Sequence, residues 1–365
     1  MTGPPCERLK VAVVGGGIGT QHIDALIALP EQYELVAFCD LDPEKAEAVA
    51  DRHAIGWATT SYEELLARAE IDIIDLCTPA GLHVAQATAA LQAGKHVICE
   101  KPLAGSLAEV DGLAQLAERC GRQVSPIFQY RFGNGFQRLL HLRDRGLLGK
   151  TYLATVETHW RRGAAYYAVP WRGRFATELG GCLTSHAIHA HDMLRHALGP
   201  VRSVHARTAT RVNPIETEDC AVVSLELADG ALAALSVTMG AAVEHSRLRF
   251  CFEHVTVESN LSPYRPHLEP WRFEAADEAA GAEIAAALAG FAPQPEHFEG
   301  QFSRLHATLT EGLPPPVTLA DARASIELLT AAYYSARSGA SVSLPIGPEH
   351  PYYHGWRASS GGPDG

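Results

Sequence analysis

Glu100-Lys101-Pro102 follows a short apolar run, residues 96–99, and that placement can carry chemistry. A lysine at a rigid strand end can bring positive charge to a substrate oxygen, or relay a proton if burial lowers its pKa. The neighbouring Glu100 opposes that lowering. A second constellation is Gly15-Gly16-Gly17-Ile18-Gly19, directly after an apolar run at residues 9–14. Gly15, Gly17, Ile18 and Gly19 would let a pyrophosphate approach the backbone at a helix N-terminus. Asp40 ends the next apolar run, about twenty positions on, where a carboxylate can accept from both hydroxyls of an adenosine ribose. The third constellation, His186, His189, His191 and Asp192, lies beyond an arginine- and aromatic-rich stretch from His159 to Arg174.

The elements that position these residues follow from periodicity. Residues 71–76 read as a buried strand, 83–93 as an alanine-rich helix stopped by Gly94, and 96–99 as a second strand. A strand–helix–strand unit makes the strands parallel with a right-handed crossover. Thr78-Pro79 and Glu100-Lys101-Pro102 then face one crevice at the carboxyl ends of the sheet. Asp42-Pro43 caps and opens the helix after Asp40, which leaves Asp40 for the ribose. Ser61 with Glu64, and Ser106 with Glu109, are capping boxes. Residues 123–129 form another strand, placed at an edge by Pro126. Gln129-Tyr130-Arg131-Phe132 would end it and border the pocket.

Past residue 130 the period changes. Residues 151–159, 201–212, 220–227, 231–239, 246–258 and 342–344 alternate as strands, with a hairpin at Asp229-Gly230. Helices are expected at 137–145, 296–310 and 319–337. The chain is therefore α/β: an N-terminal Rossmann domain with a doubly wound parallel sheet (1–130), then a substrate-binding and oligomerisation α+β domain with a large, mainly antiparallel open sheet (131–365). The last helix and tail are free to pack back on the first domain.

Composition narrows the partners. The 365 residues carry 30 Lys and Arg against 42 Asp and Glu, a net charge of −12, which argues against nucleic acid and anionic membranes. There is no run of 18 apolar residues and no signal segment. The eight cysteines are scattered without a CxxC pair, and Cys39, Cys77 and Cys99 sit at strand ends as small hydrophobes. A cytoplasmic protein with reduced cysteines is expected, and residues 1–8 are expected to be a short tail.

Taken together, the chain resembles the glucose–fructose oxidoreductase / inositol dehydrogenase (Gfo/Idh/MocA) family. The resemblance rests on the glycine turn followed by His22, on Asp40, on Cys77-Thr78-Pro79 with His83, and on Ala93-Gly94-Lys95-His96-Val97 leading to Glu100-Lys101-Pro102. Gly180-Gly181 followed by His189 and Asp192, and the segment 335–356, extend it over almost the whole chain. It implies an NAD(P)-dependent oxidoreductase of sugars, cyclitols and their derivatives, assembled as a homodimer or homotetramer through the outer face of the open sheet. It also implies that Thr78, Pro79, His83, Glu100 and Lys101 belong to the cofactor side.

The catalytic set carried over from the family is Lys101 and His189. The family pairs that histidine with an aspartate four residues earlier. Here Ser185 stands in that position with His186 beside it, so either His186 or His189 can be the base, with Ser185 orienting it. No fourth ligand accompanies His186, His189 and Asp192, so no metal is expected there. Arg131, Tyr167, Trp171, Arg172 and His189 are the substrate candidates, aromatics suiting sugar faces and arginines suiting hydroxyls or an anion. Leu41 and Asp42 supply no cation to offset Asp40, so NAD is expected ahead of NADP. Besides the dehydrogenase or reductase, two other functions fit: an NAD-dependent glycosidase using transient oxidation, and a non-catalytic cofactor-binding regulator.

Overall fold

Six strands alternate with helices over residues 9–126 and pair into one all-parallel sheet. They are β1 (Leu9–Val14), β2 (Tyr33–Cys39), β3 (Ala58–Thr59), β4 (Ile73–Leu76), β5 (His96–Cys99) and β6 (Val124–Pro126). β1, β4 and β5 are buried almost throughout, as strands covered on both faces must be. The order is β3-β2-β1-β4-β5-β6, so the strand order reverses between β1 and β4 and opens a ligand crevice at their carboxyl ends. β6, with Pro126, is the edge.

The computed structural model describes residues 8–356; the leader with Cys6 and the residues after Trp356 lie outside them. The described chain forms two compact units. The first comprises residues up to 104, 109–128 and 295–323, and the second 105–108, 129–294 and those from 324 on. Apart from the short excursion at 105–108, the chain passes from the first unit to the second between Phe128 and Gln129. The helix His297–Glu311 belongs with the first unit, while the tail and most of the last helix, Leu319–Ser338, belong with the second. The cause is apolar: Phe298, Phe302 and Leu305 are buried in the same core as Val11, Ile23, Tyr33 and Phe38. The Tyr33 hydroxyl donates to Phe302 O at 2.7 Å.

The second unit is built on an eight-stranded sheet. Its strands are β7 (Thr151–Arg161), β8 (Val201–Ala209), β9 (Cys220–Leu227), β10 (Leu232–Thr238), β11 (Gly240–Phe252), β12 (Val255–Glu258), β13 (Arg272–Ala275) and β14 (Val342–Ser343), in the order β13-β12-β11-β7-β10-β9-β8-β14. Ala154, Val156, Thr158 and Trp160 of β7 are buried on the face that receives the helix Ile188–Leu198, while Leu153, Val222 and Leu232 stand exposed. Every pair is antiparallel except β7 with β10, whose connecting segment is long enough to return in the same direction.

Three expectations change here. Residues 246–258 are not one strand but the β11–β12 hairpin. The buried positions move from Phe250 and Phe252 to Val255 and Val257, and that slip in phase marks the turn. β13 and the helix Glu278–Ala289 were not anticipated. Gln129–Phe132 is a separate 3-10 turn opening the second unit, not the end of the edge strand.

Candidate functional site

In the first unit the glycine turn fits a dinucleotide. Gly15 has φ +97°, and a Cβ there would lie 2.7 Å from Cys77 O, so the turn tolerates only glycine against the end of β4. A Cβ on Gly17 would meet nothing within 4 Å, so the backbone is open to approach. The following helix, Gly19–Ile27, starts at Ile18 with no side-chain cap and no acid in its first turn. Its N-terminal amides are thus left for an anion. Asp40 stands beside the turn: Gly16 N donates to its Oδ2 at 2.8 Å and Asp42 N to its Oδ1 at 3.2 Å. Asp42 caps the next helix, as expected. The expected lack of a compensating cation is overturned, because Lys45 Nζ lies 2.8 Å from Asp40 Oδ2. One turn of helix after Asp42 is enough to bring it back. Burial pushes the Asp40 carboxyl up, but Lys45 and the Gly16 amide hold it below its ordinary value.

Behind the turn lies a buried charge cluster. His22 Nδ1 is 2.9 Å from Asp75 Oδ2, and its Nε2 is 3.2 Å from Glu100 Oε1. His22 and Asp75 are fully buried and Glu100 nearly so. Burial lowers the His22 pKa, yet Asp75 raises it well above the ordinary value, so the ring is an imidazolium donating at both nitrogens. Glu100 Oε2 accepts from Lys101 N at 3.0 Å. Glu100 therefore points inward, to His22 and to the Lys101 amide. His83 is likewise buried. Its Nδ1 and Nε2 each lie 2.8 Å from a carbonyl, of Pro102 and Thr78 respectively, so the ring clamps the two strand ends together. Burial lowers its pKa and keeps it neutral, able to donate to one carbonyl at a time. The Thr78 hydroxyl donates to Gln86 Oε1 at 2.5 Å, and Pro79 leads into the 3-10 turn Ala80–Leu82. Lys101 is partly buried.

In the second unit the histidine segment is broken. Cys182–Ser185 is one short helix, His186 closes it, and Ile188–Leu198 is another, so Ser185 and His189 do not share one helix. His186, His189 and Asp192 have different surroundings. His186 packs edge-on to Trp160, with ring centroids 5.6 Å apart, and 5.5 Å from Tyr166. His189 stacks on Tyr130 at 4.5 Å, and Tyr130 stacks on His267 at 4.2 Å. Asp192 accepts from Arg131 Nε and Nη2, both at 2.6 Å. Arg131 is fully buried with its fork directed at Asp192, an ion pair that braces the fold. Burial takes the His191 pKa down to about 4.

The carboxylate missing from the sequence pattern comes from elsewhere. Ser185 Oγ donates to Glu178 Oε1 at 2.7 Å, and Gly173 N donates to Glu178 Oε2 at 2.6 Å. With its proton spent on Glu178, Ser185 can act towards an imidazole only as an acceptor. Glu178 was missed because it lies seven residues upstream, at the end of the short helix Phe175–Glu178, which is separate from the helix that carries Ser185. Gly180-Gly181 also gains a reason: a Cβ on Gly181 would lie 1.9 Å from Glu218 O. The Glu218 carboxylate accepts from Gly181 N, Leu183 N and the Tyr333 hydroxyl at 3.1, 3.0 and 2.9 Å. Tyr167, Trp171 and Arg172 lie partly buried in the loop before Glu178, and the Arg172 guanidinium lies 3.6 Å from the Tyr166 ring centroid.

Comparison with known proteins agrees with this geometry. Residues 9–128 match the family described as an oxidoreductase family with an NAD-binding Rossmann fold, and residues 136–258 match the GFO/IDH/MocA C-terminal domain. The D-glucoside 3-dehydrogenase of Escherichia coli is 30% identical over 58% of this chain and 60% of its own length. A glycosyl hydrolase family 109 protein of Streptomyces niveus is 31% identical over 55% of this chain and 42% of its own. The chain thus spans about half the length of these curated relatives. The WlbA dehydrogenase of Bordetella pertussis, solved with NADH and UDP-GlcNAcA, superimposes with a TM-score of 0.81 at 28% identity, over 93% of this chain and 100% of that one.

Two outcomes follow from the buried groups. His22→Ala strands Asp75 and Glu100 without their cation and is expected to cost about 3–5 kcal/mol in urea unfolding. Because the His22 pKa is raised on folding, its contribution is full below about pH 6.5 and is lost as pH rises through the folded value. Burial also pushes the Glu218 carboxyl up to about 7 against the pull of its donors. Its protonated form therefore favours the fold, fully below the unfolded value of 4.5 and less as pH passes about 7. Glu218→Gln is expected to flatten the fall in melting temperature between pH 6 and 8; an unchanged slope would show that the carboxyl is already ionised.

Proposed function

Since the chain belongs to the GFO/IDH/MocA oxidoreductase family, with an NAD-binding Rossmann fold in its first unit, we propose that it oxidises a ring hydroxyl of a sugar, cyclitol or sugar derivative, or reduces the corresponding ketone. The observation that carries this reading is the glycine turn at the reversal of strand order, with an uncapped helix behind it and Asp40 beside it. Gly15 to Gly19 would hold the pyrophosphate and Asp40 the ribose. NAD, when bound, supplies the acceptor for the hydride leaving the carbinol carbon. Lys101 donates to the substrate oxygen and offsets its negative charge as the hydroxyl proton leaves. His189 takes that proton, with His186 as the other candidate, and the product is a ketone. Tyr167, Trp171 and Arg172 border the sugar. The UDP-GlcNAcA bound by the WlbA dehydrogenase brings nucleotide-linked sugars among the candidates.

The glycosyl hydrolase family 109 relative supports a second reading, cleavage of a glycoside through transient oxidation. We further assign the exposed face of the second sheet, with Leu153, Val222 and Leu232, as the contact between subunits of a homodimer or homotetramer. No helix among the described residues is long and apolar enough to cross a membrane; a cytoplasmic location is part of the proposal.

Incubation with NAD and a panel of sugars, cyclitols and nitrophenyl glycosides tests the readings together. NADH formation is expected; nitrophenol release without NADH would replace the first reading by the second, and cofactor binding with neither would leave a regulator. Lys101→Ala should leave NAD affinity nearly unchanged and lower turnover by about 10²-fold or more. Loss of the acidic limb of the rate in His189→Ala would identify the base, whereas its loss only in His186→Ala would transfer that role. For the cofactor, NAD is expected to bind more tightly than NADP, but Lys45 narrows the margin by neutralising Asp40. Lys45→Ala should widen the gap in titration calorimetry and Asp40→Ala should close it. A gap unmoved by both would show that neither residue reads the ribose.

A further inference from the structure

We propose that Arg172 is an anion-binding subsite, which makes the preferred substrate a sugar bearing an oxyanion, either a carboxylate on the ring or a phosphate linked to it. This rests on the sugar-oxidoreductase reading above and specifies its substrate class.

Two guanidinium groups lie over the Tyr166 ring, with Arg172 Cζ 3.6 Å and Arg162 Cζ 5.2 Å from its centroid. Their charges are treated differently. Arg162 is compensated: its Nη1 lies 3.2 Å from Glu244 Oε1 and 3.0 Å from the Tyr264 hydroxyl. Arg172 has no carboxylate within 4.0 Å among the described residues, and its Nε is shielded from solvent without a hydrogen-bond partner. The carboxylate in its own loop, Glu178, is turned to Gly173 N and Ser185 Oγ. A partly buried cation is normally relieved by a partner or by losing its proton, and arginine cannot lose its proton. Its flat face is covered by Tyr166, and Trp171 lies 5.0 Å away. What remains is the edge of the guanidinium, the edge that takes an oxyanion in two parallel hydrogen bonds.

The place is also right for a substrate group. Tyr166, which carries the guanidinium, is 5.5 Å from His186, and His186 adjoins Ser185 and precedes His189 by three residues. Trp171, partly buried beside the charge, offers an apolar face to a sugar ring.

Titration calorimetry on the NADH-loaded protein with glucose, glucuronate, UDP-glucose and UDP-glucuronate tests the subsite without turnover. At least one anionic probe is expected to bind about 10- to 100-fold more tightly than glucose, the gain of a charge-assisted pair. Preference for glucuronate over glucose places a ring carboxylate on Arg172. Equal gains for both UDP-sugars, with none for free glucuronate, place the diphosphate there. Arg172→Gln is expected to abolish the gain of the anionic probes over glucose, while Arg174→Gln, at an exposed position in the same loop, leaves it intact. Arg172→Met, which keeps the stem over Tyr166, gives the same reading if the glutamine variant does not fold. Anionic and neutral probes binding alike in the unaltered protein, or a preference that survives both Arg172 variants, would overturn the subsite. A preference that depends on Arg172 in a protein that moves no hydride would keep the subsite and sink the oxidoreductase reading instead.

Discussion

The first unit is organised by one buried cation. His22, on the helix that follows the glycine turn, holds Asp75 of β4 and Glu100 at the end of β5 through opposite edges of one ring. Three elements that converge on the crevice are thereby fixed to one another at depth. Two buried carboxylates near each other would repel and lose hydration; an imidazolium between them removes both problems at once. Glu100 then passes the constraint outward by accepting from the Lys101 amide. The lysine therefore begins from an anchored backbone, which suits the role proposed for its charge.

The second unit solves the same problem with buried carboxylates and separate donors. Asp192 locks the 3-10 turn at Arg131 to the helix Ile188–Leu198, Glu178 holds Ser185, and Glu218 gathers the amides of Gly181 and Leu183. Each carboxylate stabilises one bend in a segment that repeatedly breaks its helix. Regular backbone bonding is interrupted there, so the polar groups it leaves behind are satisfied by side chains.

Local signals recovered the parts of the chain whose causes are local. β1, β2, β4 and β5, the cap at Asp42 and the hairpin at Gly230 are each written within a few residues. What escaped depends on distance. Lys45 reaches Asp40 only once a helix has turned, Glu178 reaches Ser185 across a loop, and the inward direction of Glu100 and His83 depends on His22, Pro102 and Thr78. The pairing of Arg131 with Asp192 likewise spans 61 residues of sequence. The β11–β12 turn was legible in principle, as a slip in the alternation at Glu253-His254, but alternation on both sides masked it.

The order in which the chain visits its two units limits how the protein can be divided or inherited. The cofactor unit is completed only by the helix His297–Glu311, long after the polypeptide has built the whole second sheet. A gene fragment ending near residue 130 would leave Tyr33 and Phe38 facing water where Phe298 and Phe302 belong. During synthesis the nucleotide-binding half must wait, partly uncovered, for its closing helix to leave the ribosome. The two halves are therefore poor candidates for exchange between relatives as independent cassettes, and a change of substrate is more readily reached by altering the loop around Arg172 than by replacing a domain.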